Sequence, residues 1–165
     1  MAWDEGLINS LVYERPEGGA GRVLSYTKAI NEALAIALAA DPSVFVLGQG
    51  VDDPSAMFGT TKGLFEEFGN DRVFDTPLSE EAMMGVCTGA AMNGMRPVYM
   101  HNRPDFILLA FNQLVTHAAK YHFMDNGQTN VPMVVWAAIG RGWVPAPSIL
   151  RPYKACCWAC PASRS

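Results

Sequence analysis

Between residues 25 and 140, short continuous apolar runs alternate with stretches of helical period, and that alternation restricts the chain to very few folds. Ser25 stands as an N-cap before Ala29, Ile30, Ala33, Leu34, Ala37 and Leu38, which recur at helical spacing until Asp41-Pro42 ends the run. Val44–Leu47 reads as a buried parallel strand closing on Gly48. Gln49–Thr61, rich in Gly, Asp, Pro and Ser, reads as a loop, and Lys62–Phe68 as a short helix stopped by Gly69-Asn70. Arg72–Asp75 is a brief strand, Glu80–Met92 a helix with many small residues, and Pro97–Met100 a further strand. Asp105 is the expected cap of a long helix reaching Tyr121, with Phe106, Leu109, Ala110, Gln113, Leu114 and His117 along one face. Val131–Ile139 carries the most continuous strand signal. This order predicts an α/β fold, a doubly wound and mostly parallel sheet with helices on both faces. The small residues Ala82, Gly85, Cys87, Gly89, Ala90 and Ala91 predict close packing of the Glu80–Met92 helix against a neighbouring helix or subunit.

The chain divides into a leader at 1–22, marked by Pro16, Gly18, Gly19 and Gly21, a domain at 23–143, and an irregular segment at 144–165. Its 165 residues suffice for one domain, and with half of them hydrophobic and 17% charged, a core is within reach. The net charge is −4 and no Lys/Arg run occurs, which argues against a nucleic-acid partner. No window approaches the ~20 apolar residues of a membrane span. The acidic start, Met1-Ala2-Trp3-Asp4-Glu5-Gly6, lacks the apolar run of a signal peptide, so a cytoplasmic protein is expected. Cys156, Cys157 and Cys160 crowd the last residues, an arrangement that suits a reduced chain.

The stretch Asp75-Thr76-Pro77-Leu78-Ser79-Glu80-Glu81 concentrates the chemistry. A strand ends, Pro77 stiffens the turn, Ser79 caps a helix, and two carboxylates occupy the first helical turn. Helix capping and charge–dipole attraction account for such acids without any catalytic role. The functional reading is a carboxylate at the C-terminal edge of a parallel sheet, where open α/β folds bind ligands. His101, His117 and His122 have no metal-ligand spacing and read as packed or surface residues. Asp52 and Asp53 fit turn chemistry better than an ion site, and Cys157-Trp158-Ala159-Cys160 lacks the second cysteine pair a zinc site needs.

Three motifs in preserved order carry a resemblance: Thr61-Lys62-Gly63-Leu64, the run Phe74–Glu80, and Gly89-Ala90-Ala91-Met92-Asn93-Gly94-Met95-Arg96-Pro97. Together with Asp105–Met124 and Gly127–Val135 they resemble the beta subunits of thiamine-diphosphate-dependent 2-oxo-acid dehydrogenases of the pyruvate and branched-chain type, over roughly Tyr26 to Trp143. The resemblance implies a transketolase-like pyrimidine-binding domain in which Glu80 is the catalytic glutamate. Its carboxyl would hydrogen-bond the ring nitrogen of the aminopyrimidine opposite the 4′-amino group and favour the imino tautomer, which takes the proton from thiazolium C2. Burial favours the protonated form of a carboxyl and would suit that task. Leu78 would line the pocket and Phe106 would stack on the ring, although helical spacing also allows Phe106 as an ordinary core residue. Glu81 stands where the family is usually uncharged and reads as an exposed acid of the first turn. The resemblance further implies thiamine diphosphate, with magnesium on the partner subunit, an alpha subunit paired with this chain in a heterotetramer, a dihydrolipoyl acyltransferase and a 2-oxo acid substrate. A transketolase-like or deoxyxylulose-phosphate-synthase-like half is the second possibility, and a non-catalytic truncated fragment the third. Asn102-Arg103-Pro104 and Gly140–Trp143 depart from the commonest pyruvate-type pattern, so the oxo acid stays open.

A doubly wound domain that stopped just after a central strand would leave apolar surface uncovered. Relatives of this kind continue beyond Trp143 with a G-A-Q-H-S-Q segment whose histidine belongs to the active site. Joining each codon's last base to the next codon's first two forces Gly at Trp143-Val144, Leu at Cys156-Cys157 and at Cys157-Trp158, and Gly at Trp158-Ala159. Permitted codons for the remainder spell G-A-G-A-Q-H-S-Q-A-L-Q-G-L-L-L-G. The expectation is a frameshift near Trp143 that removes the histidine and the C-terminal part of the family's architecture. Sequencing the DNA tests it, and codons incompatible with that frame would refute it.

Overall fold

A computed structural model describes residues 24–53 and 57–138. The leader 1–22 and the segment 144–165, with its cysteines and its proposed change of frame, lie outside the described residues.

Helix α1 (Tyr26–Ala40) starts as expected, with the Lys28 amide donating to the Ser25 hydroxyl at 3.3 Å. Strand β1 (Val44–Gly48) follows and is buried along its whole length. A 3-10 turn (Met57–Gly59) leads to α2 (Leu64–Phe68) and β2 (Val73–Asp75). Helix α3 (Glu80–Met92) has the predicted bounds, and β3 (Arg96–His101) comes after it. The next helical run is segmented into α4 (Pro104–Ile107), a 3-10 turn (Leu108–Ala110), a π-helical stretch (Asn112–Ala118) and α5 (Ala119–Met124). Strand β4 (Val134–Ala137) is the last described element.

The four strands are parallel in the order β2-β1-β3-β4. Side chains alternate across the sheet, as the strand period requires. Val44, Val46 and Met100 pack on one face with Leu38, Leu64 and Val73. Phe45, Leu47 and Tyr99 pack on the other with Met84, Cys87 and Ala110. The α2 connection travels from β1 to β2 on the first face. The α3 and α4–α5 connections travel the opposite way, toward β3 and β4, on the second face. Right-handed crossovers require this change of face with change of direction, and it makes the sheet doubly wound. The chain therefore leaves β1 and β3 in opposite directions, and the crevice of the topological switch point lies at their C-terminal ends. Gly48 pairs with Met100 there, and any Cβ at Gly48 (φ +153°) would collide with the Met100 carbonyl.

The opposite, N-terminal edge is fastened by charge. Arg72 donates to the carbonyls of Val44 (2.6 Å), Leu38 (2.9 Å) and Asp41 (2.7 Å). Two of those belong to the C-terminal end of α1, where carbonyls lack helical partners. Asp41 pairs with Arg96 at 3.2 Å, and the Ser43 hydroxyl and amide hold its carboxyl below the ordinary range.

Several expectations are corrected. Asp105 does not cap the helix after β3. The cap position is Arg103, and Pro104 takes the first helical position, where a missing N–H costs nothing. The expected continuous helix changes winding at Leu108 and again at Asn112, so its predicted apolar stripe is only partly buried: Ala110 is covered while Leu109 is 58% exposed. Strand β4 begins at Val134 rather than Val131, since Pro132 has no amide to donate and Val134–Ala137 is the stretch that pairs with β3; Ile139 lies outside the described residues. Ser79 occupies the cap position of α3 but makes no side-chain capping bond.

Candidate pyrimidine-binding site

The C-terminal edge of the sheet is built by four strand ends and by the turns that leave β1, β2 and β3. Asp75 closes β2, and its carboxylate accepts a hydrogen bond from the Gly50 amide, which ties the loop after β1 to the start of the Asp75–Glu81 turn. Asn31 of α1 fixes the far side of the same loop by donating to the Thr60 and Lys62 carbonyls, each at 3.0 Å. Thr76 turns inward and is buried, while Pro77, Leu78 and Ser79 stand exposed. The chain then enters α3 at Glu80, whose side chain is half-buried. The turn thus holds a carboxylate at the sheet edge with an apolar residue projecting beside it.

The sequence-derived residues fall as follows. Glu80 is the first residue of α3, on the Phe45 face of the sheet. Leu78 is 83% exposed, an uncovered apolar side chain one residue before the cap position. Phe106 sits in α4, directly after β3, and at 38% exposed it is not the core phenylalanine that helical spacing allows. Glu81 is exposed as expected but is not idle, since the Asn112 amide donates to it at 2.9 Å and joins the start of α3 to the π-helical stretch. Gln113 of the π-helical stretch packs beside Gly85 of α3 at ordinary van der Waals distance, so the two elements meet there by a side chain rather than by a close backbone approach, and Gly89 faces open space. Stretches of π-helix recur at functional sites, and this one braces the helix that carries Glu80.

Sequence reading treated His101 as a packed or surface histidine. It is packed: it ends β3, is 3% exposed, and lies with its ring centroid 4.3 Å from that of Tyr99. Its Nε2 has no hydrogen-bond partner among the described residues. Burial pushes the imidazole down to about 4, and the nearby Glu80 carboxylate opposes that shift. The Tyr99 phenol is pushed up to about 12, first by burial and then by the same Glu80. Tyr99 and His101 therefore stand on the α3 side of β3, close enough to feel Glu80. The signal lay in the strand period, which puts residues 99 and 101 on one face with the second of them at the sheet edge. Thr61 and Thr76 also bury hydroxyls without partners on this edge. Orphaned buried polar atoms are costly and cluster where a ligand or water completes them. Cys87, fully buried below Glu80 on α3, has its thiol pushed up to about 12 by burial and is a packing residue. Among the described residues no group of three His, Cys, Asp or Glu side chains gathers to hold a metal ion.

A four-stranded parallel sheet with helices on both faces and a switch point between β1 and β3 defines a domain of the doubly wound α/β class. The sequence model of the family "Transketolase, pyrimidine binding domain" matches residues 22–151, and the chain belongs to that family. It is 46% identical over 120 residues to the 2-oxoisovalerate dehydrogenase subunit beta of Bacillus subtilis, covering 73% of this chain and 37% of that protein. It is 36% identical over 157 residues to the mitochondrial pyruvate dehydrogenase E1 component subunit beta-1 of Oryza sativa, covering 86% of this chain and 42% of that protein. It is 38% identical over 134 residues to the acetoin:2,6-dichlorophenolindophenol oxidoreductase subunit beta of Bacillus subtilis, covering 74% of this chain and 39% of that protein. The chain thus spans about two fifths of the length of these relatives.

Proposed function

We propose that this chain forms the aminopyrimidine-binding side of a thiamine-diphosphate site in a 2-oxo-acid dehydrogenase, acting as a beta subunit together with an alpha subunit. The observation that carries the reading is Glu80, half-buried on the first turn of α3 at the C-terminal edge of the sheet, in a family defined by pyrimidine binding. The donor set fits such a ring. A carboxyl meets ring nitrogens in the ring plane, and exposed Leu78 and Phe106 offer apolar and aromatic surface for the ring's faces.

Each residue then has a task. Glu80 would hold the pyrimidine nitrogen opposite the amino group and would offer that nitrogen a shared proton. Leu78 and Phe106 orient the ring and keep water from it. The Asn112–Glu81 bond and the Gly85–Gln113 packing hold α3 in position while the proton moves. Thiamine diphosphate, when bound, supplies the electron sink for cleaving the bond between the carbonyl and carboxyl carbons of a 2-oxo acid.

The exposure of Leu78 and Phe106 supports a site completed by a second chain. The alpha subunit would bring the diphosphate and magnesium contacts, and a dihydrolipoyl acyltransferase would take the acyl product. A cytoplasmic location belongs to the same proposal and is tested by cell fractionation. The test of function is calorimetric titration of thiamine diphosphate with magnesium into the full chain, with and without its alpha subunit. Binding that requires the alpha subunit is expected. Absence of binding under both conditions would favour a non-catalytic fragment.

A further inference from the structure

His101 Nε2 is a buried polar atom near the proposed site with no hydrogen-bond partner among the described residues. The residue is 3% exposed, ends a strand at the ligand-binding edge, and lies on the side of the sheet that α3 covers. The ring is held on one side by Tyr99. A histidine kept only for packing would gain nothing from a nitrogen left unpaired in the interior, which forfeits hydration without a replacement bond. The packing places this nitrogen near the start of α3. Met84 and Cys87, one and two helical turns after Glu80, pack against Tyr99, and His101 follows Tyr99 by two residues on the same face of β3, so Glu80 and His101 share the C-terminal edge of the sheet. The second orphan, the buried Thr76 hydroxyl, lies in the turn that delivers Glu80.

We propose that His101 is a positioning residue for Glu80: its imidazole donates Nε2–H through one buried water to the Glu80 carboxyl and fixes the orientation in which that carboxyl meets the pyrimidine. The inference rests on the proposed role of Glu80 and deepens it. A neutral donor suits the task better than a cation. An imidazolium beside Glu80 would hold the carboxylate fully ionised and unable to share a proton, whereas a neutral N–H occupies one oxygen and leaves the other free. The desolvation that keeps His101 neutral is thus part of the arrangement.

The test begins with the full chain labelled with nitrogen-15 in its 3 histidines. At neutral pH, His101 is expected to appear as the Nε2-protonated tautomer, with an Nε2 resonance that shifts in the Glu80→Gln variant. An unprotonated Nε2, or a resonance indifferent to Glu80, would overturn the inference. The reconstituted dehydrogenase gives the second readout. His101→Phe should lower kcat about tenfold with little change in KM, the effect of one lost hydrogen bond. His101→Gln, which keeps an N–H donor, should recover most of that loss. Equal losses in both variants would mean that His101 acts through packing. If Glu80→Gln leaves turnover intact, it is the functional reading that fails. If Glu80→Gln abolishes turnover while the His101 resonance ignores it, the positioning role alone fails.

Discussion

At the residue scale, single side chains with several partners dominate. Arg72 is one residue away from its reading as the start of a strand. It serves mainly as a clamp that satisfies three carbonyls of α1, the following turn and β1 at once. Arg72→Met is expected to lower unfolding free energy by about 2–4 kcal/mol, because charge-assisted hydrogen bonds are lost and carbonyls are left without donors. Urea denaturation of the two chains checks this. His101 makes a pH prediction. Its native value of about 4 lies below the unfolded 6.5, so the unfolded chain binds the proton more readily between those limits. Stability at neutral pH is unaffected by this group. It falls as pH drops from 6.5 and levels off near 4, with a loss of about 3 kcal/mol from the shift. His101→Phe should flatten that slope, as read from denaturation midpoints across pH. Glu80 was legible as a first-turn acid after a strand and a Thr-Pro turn, and its role at the cofactor came from the resemblance alone. The contacts of Asp75 with Gly50 and of Asn112 with Glu81, and the burial of His101, were not legible, because they depend on residues far apart in sequence.

At the element scale, local pattern and tertiary context divide the credit. Helices α1 and α3 followed from spacing, and β1 from an apolar run too short for a helix. The winding of the run after β3 did not. Its 3-10 and π segments accommodate contacts with α3, among them Gln113 on Gly85 and Asn112 on Glu81, which no local period encodes. The shortening of β4 was partly written in Pro132, whose missing amide demotes a strand. Glycines of α3 offer a test of this level. Gly89 has open space where a Cβ would stand, and its backbone is helical. Gly89→Ala is expected to stabilise the chain by about 0.5–1 kcal/mol through helix propensity and a stiffer unfolded state. A destabilisation in thermal melts would show that the position needs its glycine for a reason the chain's own packing does not contain.

At the scale of the whole molecule, the doubly wound arrangement explains why so much chemistry meets at one edge. Opposite directions of travel from β1 and β3 open a crevice there, and the turns after β1, β2 and β3 all deliver residues to it. The order of elements was readable because a parallel sheet buried on both faces leaves uninterrupted apolar runs. The exposed apolar surface of Leu78 and Phe106 at that edge is what the proposal of a site completed by a second chain rests on. The central claim is that Glu80 is the proton-sharing carboxyl of a thiamine-diphosphate site. Its most direct test is the steady-state turnover of a 2-oxo acid by the complex reconstituted with Glu80→Gln, an isosteric change at a half-buried position. The account predicts a fall in kcat of about a hundredfold or more with the complex still assembled, the scale of a lost general acid–base group. Turnover within a factor of two of the unaltered complex would contradict it.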